Sequence, residues 1–104
     1  MPRDFSSHLV LADGTVLENS NCGVADDSLW VWVAGKTLNE CFKIFSNPDK
    51  TSRIEAYFVN HTIYTGFTEL TSIMVNNTTK TVDIRLTWPK DGTHSVEEVS
   101  SENE

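Results

Sequence analysis

The chain has 104 residues, is 38% hydrophobic and 10% aromatic, and has a formal net charge of −7. Its length predicts one domain, and its apolar content is sufficient for a hydrophobic core. The negative charge disfavours nucleic-acid binding, because phosphate contacts need a basic surface. No apolar run approaches the roughly 18 residues of a membrane span, and no apolar signal-peptide region follows Met1. We therefore expect no membrane association and a cytoplasmic location, with incorporation into a virion as an alternative.

The first predicted element is a β-hairpin around Asp13-Gly14. Two apolar runs flank this dipeptide, and Asp-Gly readily adopts the positive φ angles of a two-residue turn. Such a turn predicts that Val10 lies opposite Leu17. Residues 19–28, which follow, are rich in turn formers and predict a loop.

Residues 29–34 form an unbroken apolar run, which predicts a strand covered on both faces. The alternation of a strand puts Trp30 and Trp32 on one face and the remaining apolar residues on the other. We expect the two tryptophans to pack in the core, with a helix covering one face of the strand. The alternative is an exposed aromatic surface that binds a sugar, a base or a protein partner.

A helix is predicted within residues 35–51. Thr37 and Glu40 have the spacing of a capping box, and Asn47-Pro48 ends the pattern because proline disfavours the α conformation in the residue before it. Four apolar residues share one stripe of a 3.6-residue period: Leu38, Cys41, Phe42 and Phe45. We expect this stripe to lie in the core.

Three more strands are predicted in the second half of the chain. They cover residues 53–59, a long segment 62–75 that Gly66 should bend, and residues 82–88, where apolar and polar residues alternate. Residues 90–104 are acidic and short of apolar side chains, which predicts a disordered tail. The predicted organisation is a single domain over residues 1–89 followed by this tail.

The order of predicted elements is βββ-α-βββ, which indicates the α+β class. We expect a mainly antiparallel curved sheet or a partly open barrel, with one short helix packed on it. Unless the barrel closes, the sheet leaves an edge to which another strand can add. The half of the long strand that contains Leu70, Ile73 and Val75 is the predicted docking edge, because this strand is longer than its neighbours.

Catalytic and cofactor-binding patterns are weak in this sequence. A nucleophilic Cys22 would need a histidine base, and His8, His61 and His94 fall on separate predicted elements. The cysteines and histidines lack paired zinc-ligand spacing, and neither a P-loop nor a dinucleotide fingerprint is present. We therefore expect no catalytic residue, no metal and no cofactor.

Several short motifs follow one another along the chain: Cys22-Gly23, the run Leu29-Trp30-Val31-Trp32, Gly35-Lys36-Thr37, residues 45–51 and residues 64–70. In this order they resemble small uncharacterised proteins of gut Firmicutes and their prophages. The resemblance covers roughly residues 9–88 and implies a bacterial or phage origin, with no activity and no catalytic residue attached.

We therefore expect a non-enzymatic interaction or assembly protein of phage or prophage origin, which binds a protein partner or associates with itself. The predicted interaction surface contains Trp30, Trp32, Leu70, Ile73 and Val75. The alternative is an acidic inhibitor that blocks a basic groove of a host protein. Neither hypothesis involves nucleic acid or a membrane.

Overall fold

The computed structural model describes residues 7–57 and 61–99. Within these ranges the chain forms nine strands and two short helices. In chain order they are β1 (His8–Val10), β2 (Val16–Glu18), β3 (Ser20–Ala25), β4 (Ser28–Ala34), α1 (Leu38–Phe45), α2 (Pro48–Thr51), β5 (Arg53–Tyr57), β6 (His61–Gly66), β7 (Glu69–Asn76), β8 (Thr81–Thr87) and β9 (His94–Val99). The last two residues of the predicted strand 53–59 lie outside the described ranges. No helix in these ranges is long and apolar enough to cross a membrane.

The strands form two separate antiparallel sheets. A five-stranded sheet has the order β2-β1-β5-β6-β9, and a four-stranded sheet has the order β3-β4-β8-β7. The predicted α+β class and antiparallel pairing are confirmed. The single curved sheet or partly open barrel is not found, because the described strands divide into two sheets and neither closes. The predicted order βββ-α-βββ is matched only in part, since four strands precede the helices and five follow them.

The inner faces of both sheets contribute to one hydrophobic core. On the four-stranded sheet the apolar residues of β4 pair with those of β8, for example Val31 with Ile84. Each fully buried aliphatic side chain stabilises the fold by roughly 1.5–3 kcal/mol. The core residues that are no more than 1% exposed on the nine strands are Leu9, Leu17, Leu29, Val31, Val33, Ile54, Ile84 and Leu86. The predicted alternation of β8 is confirmed.

The first hairpin forms, with a register that differs from the prediction by one residue. Val10 pairs with Val16 rather than with Leu17. The connection is longer than two residues, because the Leu11 N–H donates to the Thr15 carbonyl at 2.8 Å. The wrong turn length is the physical cause of the wrong register.

Strand β3 replaces the loop that was predicted for residues 19–28. Its residues are poor strand formers, and it forms through full antiparallel pairing with β4. Asn19 and Asp26 adopt positive φ angles of 53° and 59° at its two ends, a conformation that asparagine and aspartate tolerate better than most residues. The turn signals therefore mark the corners of this strand.

The long strand predicted for residues 62–75 is two strands in different sheets. β6 ends at Gly66, where φ is +133° and a Cβ would lie 2.6 Å from the Cβ of His94, so a glycine is needed at this position. The chain then crosses to the other sheet, and the buried Thr68 donates from its Oγ1 to the Oγ1 of Thr51 at 3.2 Å. The predicted bend at Gly66 is confirmed, and the continuous strand is wrong.

The helix begins as predicted and packs on a narrower stripe. The capping box is formed, with the Glu40 N–H donating to Thr37 Oγ1 at 3.1 Å. Cys41 and Phe45 are buried, whereas Phe42 is 49% exposed, so its predicted place in the core is wrong. Successive helical residues are about 100° apart, and a helix that turns Cys41 to the core directs Phe42 to the side. α1 contacts β7 and β8, and α2 contacts β5.

Residues 94–99 are not a disordered tail. They form β9, which pairs along its whole length with β6. The ring of His94 stacks on Trp88 at a centroid distance of 4.2 Å, and the hydroxyls of Thr65 and Ser95 lie 2.9 Å apart. The predicted boundary after residue 89 is therefore wrong. The prediction relied on the low apolar content of residues 90–104, whereas β9 forms by backbone pairing with a strand some 30 residues away. Residues 100–104 lie outside the described ranges.

Candidate functional site

The two tryptophans of the predicted interaction surface lie on the outer face of the four-stranded sheet. β4 directs its other apolar side chains inward, so Trp30 is half-buried and Trp32 is 39% exposed. The prediction that they pack in the core is wrong for Trp32. Cross-strand pairing places Arg85 beside Trp30, and Asp83 beside Trp32 on one side with Met74 beyond it. We call Trp30, Trp32, Met74, Asp83 and Arg85 the tryptophan face.

The two indole rings have different neighbours. The guanidinium carbon of Arg85, on β8, lies 5.4 Å from the centroid of the Trp30 ring, a cation–π distance. The ring of Trp32 lies beside β3, where two of its atoms lie 3.8 and 3.9 Å from the position that a Cβ at Gly23 would take. Gly23 has no side chain, so the Trp32 ring rests close to the backbone of β3.

Both charged groups of the tryptophan face are held by neighbours. Arg85 Nε donates to Ser28 Oγ at 2.8 Å, and an Arg85 terminal nitrogen lies 3.9 Å from a carboxylate oxygen of Asp27. Asp83 accepts from the Asn76 side-chain amide at 3.1 Å and from the Thr81 hydroxyl at 2.8 Å. The polar groups around the indoles therefore have defined positions, which favours selective binding over loose contact.

The predicted docking edge corresponds to β7, an outer strand of the four-stranded sheet. Leu70 and Ile73 point inward and pack half-buried against the core. Val75 is 51% exposed, and Met74 is 55% exposed on the opposite face. A bulge lies between Leu70 and Ser72. We call residues 72–76 the β7 edge; its role in docking stays a prediction.

The other three outer strands differ from β7 in length, charge or cover. β2 has three residues, and β9 carries Glu97 and Glu98. β3 lacks charged side chains but contacts β1 and β5 of the opposite sheet. Natural sheets protect their edges by short strands, charges and cover. β7 is longer than β2 and, unlike β9, has no charged side chain along residues 72–76. α1 contacts the strand.

Cys22 is buried in the core beside Tyr64. Burial raises the pKa of the Cys22 thiol to about 12, which keeps it protonated. Burial, followed by the neighbouring Cys22, raises the pKa of the Tyr64 hydroxyl to about 12 as well. A protonated buried thiol is a poor nucleophile.

The structure also separates Cys22 from two of the histidines. His8 and His61 stack on the two sides of Tyr57, at centroid distances of 4.7 and 4.1 Å, along the outer face of the five-stranded sheet. Cys22 points to the inner side. Within residues 7–57 and 61–99, no group of three or more histidine, cysteine, aspartate or glutamate side chains is placed to hold a metal ion. The cysteine–histidine hypothesis therefore gains no geometric support.

No protein-family model matches the chain, and comparisons with curated proteins and with solved structures found no match. The resemblance to proteins of gut Firmicutes and their prophages therefore stays a prediction. The function has to be argued from the chain's own residues.

The structure adds neighbouring residues to the site that the sequence did not assign to it. The alternation of residues 82–88 indicated that Asp83 and Arg85 point outward, but not which strand lies beside them. Pairing of β8 with β4 brings them to the tryptophans. Gly23 was missed because residues 19–28 were predicted to be a loop.

Proposed function

We propose that this chain is a non-enzymatic interaction or assembly protein that associates with a second copy of itself through the β7 edge. The observation that carries the proposal is an eight-residue outer strand with one charged residue, Glu69, at its start. Met74 and Val75 are both more than half exposed there. An uncharged outer strand is a template for adding another strand by backbone hydrogen bonds.

Charge favours β7 over the acidic edge for pairing with an identical strand. An antiparallel pair of β7 strands centred on Ile73 puts Glu69 of one copy opposite Asn77 of the other, so no like charges meet. An antiparallel pair of β9 strands centred between Val96 and Glu97 brings the four glutamates of the two copies close together. A shift that centres the pair between Glu97 and Glu98 puts them directly opposite each other, which is destabilising in a sheet. Identical copies therefore pair more favourably through β7.

The overall charge opposes association at long range. Each copy carries a net charge of −7, and salt screens repulsion between surface charges over about 10 Å at 0.1 M ionic strength. Self-association through an uncharged strand should therefore strengthen as salt is added. Docking of a basic partner on an acidic surface would weaken under the same change.

The test is sedimentation analysis of a matched pair of variants. Met74→Lys puts a charge on the β7 edge, and Val24→Lys puts the same charge on β3 at a similarly exposed apolar residue, 55% against 44% exposed. We expect Met74→Lys to weaken the dimer by at least about tenfold, a loss of roughly 1.4 kcal/mol, and Val24→Lys to leave it largely intact. Amide spectra of both variants check that they remain folded.

Two results contradict the proposal. One is a wild-type chain that stays monomeric at high protein and salt concentration. The other is a dimer that Val24→Lys disrupts and Met74→Lys leaves unchanged, which would assign the interface to β3.

A second candidate function is the acidic inhibitor, favoured by the ordered acidic strand β9. Glu97 and Glu98 lie on exposed positions of this strand, and further acidic residues follow in the sequence. Such a surface complements a basic groove on a host protein. Salt-sensitive binding to a basic groove that Glu97→Gln weakens would favour this function. We also propose a phage or prophage origin and a cytoplasmic or virion location.

A further inference from the structure

We infer that the tryptophan face is a binding site for a neutral saccharide. This inference does not rest on strand pairing at the β7 edge, although Met74 belongs to both surfaces. It starts from the geometry of β4, whose two tryptophans project on the same side two residues apart, roughly 7 Å along the strand. The guanidinium of Arg85 lies over the Trp30 ring, and the Trp32 ring lies beside Gly23 on β3. Of the two indoles, Trp32 is the more exposed.

Polar residues pair with Trp32 on both adjoining strands. In the sheet register Trp32 lies between Asn21 on β3 and Asp83 on β8. An amide and a carboxylate beside an aromatic ring match the two kinds of surface on a sugar. The C–H groups of a pyranose ring pack against an indole, and its hydroxyls donate to and accept from the polar groups. Asp83 already has a fixed orientation through Asn76 and Thr81.

The charge balance of the face disfavours a nucleic acid. Stacked bases need aromatic rings, but their phosphates also need cations along the strand. The tryptophan face offers the single cation Arg85, which lies beside Trp30 and donates to Ser28. Asp83 balances its charge. An uncharged ligand fits this arrangement better than a polyanion.

The apolar area of the face disfavours a large protein interface. Trp32 and Met74 are its large apolar side chains that are more than a third exposed, and threonines on β8 border them. A stable protein interface buries about 800 Å² on each partner, with a well-packed apolar centre. A small ligand with apolar faces and hydroxyl edges matches the smaller aromatic area.

The test is titration of the ¹⁵N-labelled chain with neutral oligosaccharides: cellohexaose, chitohexaose, xylohexaose and maltohexaose. The chain has three tryptophans, so its indole N–H signals report separately on the face and on the core. We expect at least one saccharide to shift the signals of Trp30 and Trp32, with a dissociation constant of about 1 mM or tighter. Trp88 is 3% exposed and stacks on His94, so its signal is the internal control.

A matched pair of variants assigns the site. Trp32→Ala should weaken saccharide binding by about tenfold or more. Phe67→Ala removes another half-exposed aromatic ring, 50% exposed and outside the face, and should change the affinity by less than about twofold. Binding that Trp32→Ala leaves unchanged would overturn the inference.

The wild-type titration decides the inference even if a variant misfolds. Indole signals that respond to no saccharide at about 10 mM would overturn it, since a site with a dissociation constant of about 1 mM is roughly 90% occupied at that concentration. A response to a single-stranded oligonucleotide and to no saccharide would also overturn it and would assign the face to stacked bases.

Discussion

β7 and β9 are both outer strands, and they manage the exposed edge of a sheet in opposite ways. β9 has its glutamates, Glu97 and Glu98, on exposed positions and contributes little to the core. β7 anchors itself through half-buried apolar residues and leaves an uncharged edge with Met74 and Val75 exposed. Charge thus lies on the strand that is weakly anchored, and the more firmly anchored strand has none along residues 72–76. The predictions below test each side of this comparison.

The largest expected effect concerns how deeply the two strands are anchored. Ile84 on β8 is fully buried and pairs with Ile73 of β7, so Ile84→Ala should lower the free energy of unfolding by about 2–5 kcal/mol. Val96 on β9 is 50% exposed, and Val96→Ala should change it by no more than about 0.5 kcal/mol. Urea titration measures both. Equal losses for the two variants would contradict the difference in anchoring.

Deletion of β9 should have a smaller effect than the Ile84 substitution. A chain that ends at Thr93 loses the backbone pairing with β6 and the ring stack on Trp88. Six residue pairs join the two strands. At the lower end of about 0.5–1.5 kcal/mol for each net hydrogen bond, we expect a loss of roughly 3 kcal/mol with the rest of the domain folded. Amide spectra and urea titration test this, and global unfolding of the shortened chain would show that β9 is an essential part of the core.

The smallest expected effect is on the charge protection of β9. Glu97→Val removes one carboxylate from the outer strand and should increase self-association at this edge by about fivefold, or 1 kcal/mol, in line with the magnitude of cross-strand pairs. The matched variant Glu69→Val, at the start of β7, should change association less, because Glu69 precedes residues 72–76. Sedimentation at several protein concentrations distinguishes the two. If Glu97→Val does not increase self-association, the charge of Glu97 is not what prevents β9 from pairing with a second copy.

Local patterns predicted local structure well. The alternation of residues 82–88, the capping box at Thr37 and the bend at Gly66 each depend on neighbouring residues, and each is found. Phe42 was misplaced because a period of 3.6 residues defines a broad stripe, whereas this two-turn helix turns Cys41 and Phe45 to the core.

The errors of larger scale concern pairing between distant segments. β3 forms because β4 is beside it, and β9 forms because β6 is beside it. Neither strand has enough intrinsic propensity to be recognised alone. The same reason explains the site: Trp30 and Trp32 were chosen from the sequence, but the neighbours Gly23, Asp83 and Arg85 follow from strand order.

Hydrogen exchange at increasing protein concentration tests the central claim, pairing through the β7 edge, most directly. Among the described strands, none pairs with the outer side of β7 in a single copy, where the outward-pointing amides of residues 72–76 lie. The account predicts that their protection increases with protein and salt concentration, whereas the protection of residues 94–99 stays constant. Amides of residues 72–76 that are all strongly protected in the dilute monomer, with no dependence on concentration, would contradict it.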